Sequence, residues 1–314
     1  MKNLFKSLMV FAIAITLPSC SNDDNNSQPK TIAEIASANG DLSTLVEALQ
    51  RTNLVNTFNS SGDFTVFAPT NAAFATFLAT TPYATINDVP VPILTEILKN
   101  HVLSESFTSS ELMTGYYKTL AKGTASSTNT LSMYIDLTAG VKINGGVNNG
   151  GANVILTSAN ILASNGVIHV VDRVIGLPTI KNHAIANPNL SIVTGLLVDQ
   201  GLVPTLDGTT GSPFTVFAPI NSAFDTATLN LYTGLSDANK TAVLLYHVVG
   251  NANVLSNAIP TGAITTLQGQ SFSISGTSID DSGSSVNKNI VLTDVQCSNG
   301  IVHAIDKVLL PNLN

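Results

Sequence analysis

Histidine is the side chain in this sequence best suited to metal binding and acid–base chemistry, and four of the five histidines form two equivalent pairs. His101 corresponds to His247 in a similar later segment, and His169 corresponds to His303. A metal centre needs three or four converging ligands. Each half of the chain contributes only two of these four histidines, without an HxH or HExxH spacing or a cysteine pair. We therefore predict no metal site and no cofactor.

The neighbours of these histidines favour structural roles. His101 shares one face of a predicted helix with Leu94 and Leu98, and His169 alternates with Val167 along a predicted strand. Buried polar groups normally hydrogen-bond to the backbone. We interpret these histidines as buried and paired with backbone groups, with metal coordination as the alternative.

Two aspartates and one cysteine complete the candidates for chemistry. Asp172 and Asp306 follow equivalent strands, where a carboxylate accepting backbone hydrogen bonds explains both without catalysis. Cys297 aligns with Ala163, which predicts a small buried side chain rather than a reactive thiol. No Ser/His/Asp arrangement, GxSxG, P-loop or nucleotide-binding GxGxxG motif can be assembled, so we predict that the protein is not an enzyme.

These residues belong to a unit that occurs twice. The segment FTVFAPTNAAF at Phe64–Phe74 recurs as FTVFAPINSAF at Phe214–Phe224, with nine of eleven positions identical. The segment NGVIHVVD at Asn165–Asp172 recurs as NGIVHAID at Asn299–Asp306. Repeats of this length determine the architecture, so the chain contains two copies of one structural unit.

Each FTVFAP segment predicts a strand followed by a helix. Its β-branched and aromatic residues suit a strand, and Pro69 and Pro219 interrupt it because proline has no N–H to donate. Thr70 or Asn71 is predicted to cap the following helix. In the second copy isoleucine replaces the threonine, so Asn221 is predicted to be the cap.

Helical periodicity precedes each of these segments, and strand patterns follow it. The stretch Thr31–Thr57 predicts helix, with Asp41 or Ser43 as the cap, and Leu190–Leu202 predicts its counterpart. The candidate strands that follow are Leu131–Leu137, Val141–Asn144, Val154–Thr157, Phe272–Ser275 and Asn289–Thr293. Helices followed by strands indicate an α+β fold.

Two connecting segments are predicted to be solvated. Gly145–Gly151 (GGVNNGG) is predicted to be a loop without a packing side chain. Asp280–Gly283 (DDSG) is predicted to be an exposed turn, because it lacks the spaced oxygen ligands of a calcium loop.

The order TVFAPTN, a helix ending in Asn-His or Tyr-His, and NGxxHxxD resembles the fasciclin (FAS1) domain family. The resemblance covers nearly all of the chain, once per half, and implies two tandem domains at residues 30–177 and 178–314. Each would be a β-sandwich or wedge of about seven strands flanked by short helices. The structural motif residues that it identifies are Pro69, Asn71, His101, His169, Asp172, Pro219, Asn221, His303 and Asp306.

One further segment resembles an adhesion motif. Tyr246-His247 is similar to the tyrosine–histidine segment with which animal members of the family contact integrins, whereas Asn100 occupies the tyrosine position in the first domain. Both residues are therefore candidates for adhesion. The alternative is that they belong to the core.

The N-terminus predicts export and lipid anchoring. Residues 1–19 have the basic and apolar regions of a signal peptide, and LPSC at Leu17–Cys20 resembles a bacterial lipobox, which implies lipidation of Cys20. An ordinary secretory signal is the alternative. Residues 20–29 predict a flexible tether, in which Asp23 and Asp24 resemble the acidic surface-export signals of Bacteroidetes lipoproteins. We therefore expect a lipid-anchored envelope protein in the outer membrane. Surface exposure follows if Asp23 and Asp24 act as such a signal, and the alternative is that they only belong to the polar tether.

The composition disfavours several classes of binding partner. Charged residues are 11% of the chain and the net charge is −7, which disfavours nucleic acid and anionic lipid surfaces. The membrane is therefore expected to be contacted through the N-terminal lipid alone. The absence of tryptophan weakly disfavours a stacking groove for sugars.

These observations together predict a non-enzymatic cell-surface adhesion lipoprotein. Its expected partners are cell-surface proteins or an extracellular matrix polymer. The alternative is a polysaccharide- or matrix-binding component of the bacterial envelope.

Overall fold

The computed structural model describes residues 29–208, 210–281, 283 and 286–313. These residues form two similar halves that contact each other. The predicted signal peptide, Cys20 and residues 21–28 of the predicted tether lie outside the described residues.

The N-terminal half begins with helices and continues with strands. Its helices are α1 (Ile32–Ala38), α2 (Ser43–Arg51), α3 (Val55–Asn59), α4 (Asn71–Ala79) and α5 (Val91–Lys99). Its strands are β1 (Phe64–Pro69), β2 (Val102–Leu103), β3 (Gly115–Lys122), β4 (Thr130–Asp136), β5 (Lys142–Ile143), β6 (Ala152–Asn153), β7 (Ile161–Ala163) and β8 (Gly166–Val171). Short 3-10 turns occupy Gly40–Leu42, Val147–Asn149 and Leu156–Ser158.

The C-terminal half repeats this order. Its helices are α6 (Ile180–Ala186), α7 (Ser191–Asp199), α8 (Val203–Asp207), α9 (Thr226–Thr233) and α10 (Asp237–Leu245). Its strands are β9 (Phe214–Pro219), β10 (Val248–Val249), β11 (Ala263–Thr265), β12 (Ser271–Ser275), β13 (Ser278–Asp280), β14 (Lys288–Cys297) and β15 (Gly300–Ile305). Its 3-10 turns are Pro188–Leu190, Asn221–Ala223 and Ser256–Ala258.

Each half is built on one mostly antiparallel sheet. The strand order is β6-β5-β4-β3-β2-β1-β8-β7 in the first and β10-β9-β15-β14-β13-β12-β11 in the second. The prediction of α+β units with about seven strands and flanking helices is confirmed.

The two repeated motifs form adjacent strands near one end of the strand order of each sheet. The FTVFAP strand β1 pairs in parallel with β8, and β9 pairs in the same register with β15. The pairing brings the rings of Phe67 and His169 together, 5.7 Å apart and nearly parallel. Phe217 and His303 repeat this stacking at 5.4 Å. Segments that are far apart in sequence therefore form one structural centre in each half.

The sheet of each half separates two apolar cores. Val66 and Ala68 of β1 pack with the helices, whereas Phe67 packs on the opposite face with residues of β4 and β5. A single bridge between Val154 and Val171 joins the far end of the sheet to β8, so that the sheet curls over its second core. The same division holds in the C-terminal half. Because both faces of β1 are covered, its sequence is apolar almost throughout.

Glycine is required where β8 begins beside β1. A Cβ at Gly166 would lie 2.0 Å from the Phe64 carbonyl oxygen, and a Cβ at Gly300 would lie 2.2 Å from that of Phe214. The Asn-Gly pair therefore serves close backbone approach as well as the turn that it predicts.

The motif asparagines cap distant helices, which corrects the predicted caps. Thr70 caps α4, as its side chain accepts from the Ala73 N–H, but Asn71 accepts from the Thr44 N–H in α2 at 2.9 Å. Asn221 likewise accepts from the Ile192 N–H in α7 at 3.0 Å. The predictions that Asp41 or Ser43 caps α2, and that Asn221 caps its own segment, are wrong. At the N-termini of α2 and α7, the capping side chain is the asparagine that follows the FTVFAP strand of the same half.

Replacing either motif asparagine with alanine is expected to lower the free energy of unfolding by about 1–2 kcal/mol. The change removes the cap and also the bond from the asparagine Nδ2 to a backbone carbonyl, that of Gly40 for Asn71 and of Pro188 for Asn221. Urea unfolding measures the loss. Asn230→Ala, at an exposed position of α9, serves as the control and should change stability by no more than about 0.5 kcal/mol. Equal effects at Asn221 and Asn230 would contradict the capping role.

Two strand-region predictions also need correction. Val154–Thr157 is not a continuous strand, because β6 ends at Asn153 and a 3-10 turn follows at Leu156–Ser158. The segment Gly145–Gly151 is not free of packing. Asn149 within it is buried and donates to the Asn144 carbonyl at 2.9 Å and the Asn182 carbonyl at 2.7 Å.

The two halves are packed together through β4 and β14. Ser132 Oγ accepts from the Gln296 N–H at 3.0 Å, and Lys118 Nζ donates to the Asp294 carbonyl at 2.7 Å. Tyr116 of the N-terminal half packs against the helical core of the C-terminal half. These contacts hold the halves side by side, as the short predicted linker suggested.

Candidate functional site

The histidines that follow α5 and α10 link each helix to the end of its half. His101 Nδ1 donates to the Ile97 carbonyl at 2.7 Å, and its Nε2 accepts from the Ile175 N–H at 2.8 Å. His247 bonds in the same way to Val243 at 2.8 Å and to Leu309 at 2.9 Å. Both rings are thus neutral, with one nitrogen donating and the other accepting. The interpretation of His101 as a buried, backbone-bonded histidine is confirmed.

The strand histidines use the opposite tautomer. His169 Nε2 bonds to the Phe107 carbonyl at 2.8 Å and its Nδ1 accepts from the Asn160 N–H at 3.3 Å. His303 repeats both contacts with Val254 and Asp294. All four rings therefore join a strand or helix to a neighbouring loop.

Burial keeps these rings uncharged. It lowers the pKa of His101 and of His247 to about 4 in each case, against the smaller opposing effect of the backbone hydrogen bond. Burial also lowers the pKa of His169 and His303. A nitrogen that accepts a backbone N–H has no lone pair left for a metal or for a proton in transit. Within the described residues, no group of three or more His, Cys, Asp or Glu side chains could hold a metal ion.

The aspartates that follow β8 and β15 hydrogen-bond to another segment of the same sheet. Asp172 accepts from the Asn153 N–H at 2.8 Å and from its side chain at 3.0 Å. Asp306 makes the same two bonds with Asn289, at 2.7 and 3.1 Å. Their interpretation as strand-end acceptors of backbone hydrogen bonds is confirmed. Pro69 and Pro219 are buried at the ends of β1 and β9.

The asparagines of the Asn-Gly pairs have a role that the sequence interpretation missed. Asn165 accepts from the Ile32 N–H at 2.9 Å and donates to the Phe58 carbonyl at 2.9 Å. Asn299 makes the equivalent bonds to Ile180 and Leu206. Each joins the start of the first helix of its half to the end of the third. The presence of the asparagine in both copies could have indicated this role, but the Asn-Gly pair was interpreted only as a turn.

The adhesion candidates lie in the core. Tyr246 is 0% exposed and His247 is 4% exposed, and the Tyr246 hydroxyl donates to the Ser271 carbonyl at 2.9 Å. This placement agrees with the alternative that both are core residues. A direct contact with a partner would require the C-terminal half to open, so an adhesive role for these side chains stays a prediction.

Cys297 is a buried free thiol, as expected from its alignment with Ala163. Burial raises its pKa, and the nearby Lys118 opposes this only in part. The thiolate needed for nucleophilic chemistry is therefore disfavoured.

One residue of the predicted exposed turn at Asp280–Gly283 belongs to a buried ion pair. Asp281 is buried, and its Oδ1 lies 3.0 Å from Lys288 Nζ. Its Oδ2 accepts from the Leu310 N–H at 2.7 Å. The prediction of a solvated turn is wrong for Asp281, because Lys288 and the C-terminal segment both converge on its carboxylate, whereas Asp280 and Gly283 are exposed as predicted.

The fifth histidine lies between the two halves. The ring of His183 is fully buried and stands edge-on to Tyr116 at 5.4 Å. Burial, with a smaller effect of the Lys118 charge, lowers its pKa to about 3. Its surroundings are those of a core side chain.

Comparison with known proteins decides the family. The fasciclin domain family model matches residues 40–178 and 188–311. The chain belongs to the fasciclin domain family. The match occurs twice, once in each half, and the boundaries 30–177 and 178–314 stay predictions.

Relatives of this fasciclin chain occur in bacteria and in animals. The Synechocystis protein sll1483 is 41% identical over 149 residues, which are 46% of this chain and 72% of that protein. Human periostin is 31% identical over 260 residues, which are 80% of this chain but 29% of periostin. The chain thus spans less than a third of the length of periostin.

The structure of a FAS1 domain pair from the insect cell adhesion molecule fasciclin I shares this fold. It matches with a TM-score of 0.54 and 19% identity, covering 87% of this chain and 98% of that one. The likeness extends across both domains, so the two-domain architecture is confirmed.

Proposed function

We propose that this fasciclin chain is a non-enzymatic adhesion module that a lipid on Cys20 holds at the cell envelope. Its partners are cell-surface proteins or an extracellular matrix polymer. The proposed location is the outer membrane, with the two domains on the outer face of the cell. No helix among the described residues is long and apolar enough to cross a bilayer.

The main support for a non-enzymatic role is that the motif side chains point into their own domain. The motif histidines, Asp172, Asp306, Asn71 and Asn221 all bond to backbone groups of their own half. The repeated residues therefore maintain the two domains, and the outer surfaces are left for recognition. The pair shares its fold with an insect protein described as a cell adhesion molecule, which supports the same role here.

An exposed sheet edge in the N-terminal domain offers a contact surface. β7 ends the strand order of its sheet, and Leu162 on it is 70% exposed. Such an edge presents unpaired backbone groups beside an apolar side chain, a combination that suits addition of a strand from a partner. We assign partner binding to this β7 edge.

Binding of the fragment from Lys30 to Asn314 to intact cells of origin tests the proposal, since this fragment contains every described helix and strand. Saturable binding is expected. Leu162→Lys should weaken it at least fivefold by placing a charge on the edge, whereas Tyr246→Phe should leave it unchanged. Absence of binding, or equal binding by the Leu162 variant, would contradict the proposal. Binding to a glycan array without binding to cells would favour the polysaccharide alternative.

Anchoring is tested separately. Cys20→Ala in the full chain is expected to abolish lipidation and release the protein from the membrane fraction, as read by mass spectrometry and cell fractionation. An unmodified Cys20 thiol in the mass spectrum of the unaltered membrane-bound chain would exclude Cys20 as the anchor.

A further inference from the structure

The C-terminal domain contains an apolar cavity of about 230 Å³ between α6, α7, α8 and the sheet. Its walls include Val193, Leu197, Leu206, Val216, Leu244 and Val302. The polar groups nearby are already engaged. The Thr194 hydroxyl shares its single hydrogen between the Ala184 and Leu190 carbonyls, and both ring nitrogens of His247 bond to backbone. The interior of the cavity therefore offers no hydrogen-bond partner to water or to a polar group of a ligand.

The fold itself does not require this space. The equivalent cavity of the N-terminal domain has a volume of only about 20 Å³. The difference follows from side-chain size at matching positions of matching elements. The larger residue is on the N-terminal side in the pairs Leu45/Val193, Phe58/Leu206 and Ile168/Val302.

An empty apolar cavity destabilises a protein because its walls lose packing contacts. The N-terminal domain shows that the same fold can fill the space with ordinary apolar residues. A cavity of this size is thus a feature of the second copy alone, and a bound apolar group would restore the missing contacts.

The cavity opens beside exposed apolar side chains. Ile185 and Val198 both line it, and they are 48% and 60% exposed. Lys181 is the one cationic residue of the lining, and its Nζ lies 3.0 Å from Asp207 Oδ2 near the surface. The chain of an apolar ligand would match the interior, and an anionic head group at the rim would replace Asp207 as the partner of Lys181.

We propose that the cavity binds the hydrocarbon chain of a medium-chain fatty acid, with the carboxylate at the rim beside Lys181. An apolar cavity of about 150 Å³ holds benzene, so the larger space here accommodates a chain of roughly six to eight carbons. This site is separate from the β7 edge, and its occupancy does not depend on adhesion.

Calorimetric titration of the fragment from Lys30 to Asn314 with octanoate tests the site. Saturable binding at one site per chain is expected. The triple variant Val193→Leu, Leu206→Phe, Val302→Ile installs the side chains of the N-terminal domain, and it should weaken binding at least tenfold while raising the melting temperature. Val291→Leu, at a strand position that is 53% exposed, adds a methylene outside the cavity and should leave the affinity unchanged.

Two results would overturn the proposal. The first is the absence of saturable octanoate binding by the unaltered chain. The second is undiminished binding by the triple variant or, if that variant fails to fold by circular dichroism, by Val193→Leu alone, which is expected to weaken binding at least threefold.

The head-group placement has its own test. Lys181→Gln should weaken octanoate binding at least threefold and leave 1-octanol binding unchanged. Equal effects on the acid and the alcohol would show that Lys181 does not meet the carboxylate.

Discussion

Replacing Lys288 with methionine is expected to lower the free energy of unfolding by about 3–5 kcal/mol. The substitution leaves the Asp281 carboxylate buried without its counter-charge. The two side chains are 2% and 0% exposed and their charged atoms are 3.0 Å apart. Lys288 Nζ also donates to the Val286 carbonyl at 2.8 Å, so the lysine positions the loop as well as the charge. Urea unfolding followed by circular dichroism measures the effect.

Two variants separate the loss of the charge pair from a general effect of substitution. Asp281→Asn combined with Lys288→Met removes both charges but keeps an oxygen for the Leu310 N–H, and it should recover most of the stability. Lys240→Met breaks the surface pair with Asp237, whose side chain is 87% exposed, and should cost less than about 1 kcal/mol. If Lys288→Met costs no more than Lys240→Met, the buried pair does not have the role assigned to it.

Acidification from pH 6.5 to 4 is expected to cost the protein several kcal/mol of stability. Burial lowers the pKa of His101 and His247 to about 4 in the folded chain, whereas histidine in an unfolded chain titrates near 6.5. Protonation would convert each accepting Nε2 into a donor that faces a backbone N–H, that of Ile175 or Leu309. Between pH 6.5 and 4 these histidines are therefore protonated more readily in the unfolded chain than in the folded chain, which favours unfolding.

The direction and the size follow from linkage. Because the folded pKa lies below the unfolded pKa, the contribution to stability is fully present above pH 6.5 and is lost as the pH falls towards 4. A decrease from 6.5 to about 4 corresponds to roughly 3 kcal/mol for each of His101 and His247. The lowered pKa of His183, His169 and His303 adds to the loss in the same direction.

Urea unfolding at intervals between pH 7.5 and 4.5 checks this prediction, since most carboxylates remain ionised there. His247→Gln keeps an oxygen near the position of Nε2 but cannot titrate. Its stability should fall less steeply with decreasing pH, by up to about 1.4 kcal/mol per pH unit. A flat profile for the unaltered chain, or an identical slope for the variant, would contradict the assignment.

The repeated blocks were sufficient to predict the two-domain α+β architecture, the strands that the two motifs form and the burial of His101. These features depend on local patterns, such as apolar alternation, turn residues and a histidine on an apolar helix face. Because the sequence carries each pattern twice, the prediction for one copy checks the other.

Partners across long separations could not be predicted in this way. Asn165 bonds to Ile32, 133 residues away, and Asn71 caps α2 by accepting from the N–H of Thr44, 27 residues before it. A side chain with both a donor and an acceptor can cap its own turn or a remote helix, and propensity favours the local choice. The packing of the helices places the remote backbone N–H groups within hydrogen-bond distance of these asparagine side chains.

The buried ion pair and the cavity of the C-terminal domain also depend on contacts between segments that are distant in the sequence. The sequence pattern predicts a solvated turn at Asp281, yet this residue is buried together with Lys288, and the C-terminal segment bonds to its carboxylate. The cavity in the second domain arises from small losses of volume at positions that are all apolar in both copies. Sequence pattern thus establishes which residues are apolar and which repeat, whereas volume and the burial of charge depend on how distant segments meet in three dimensions.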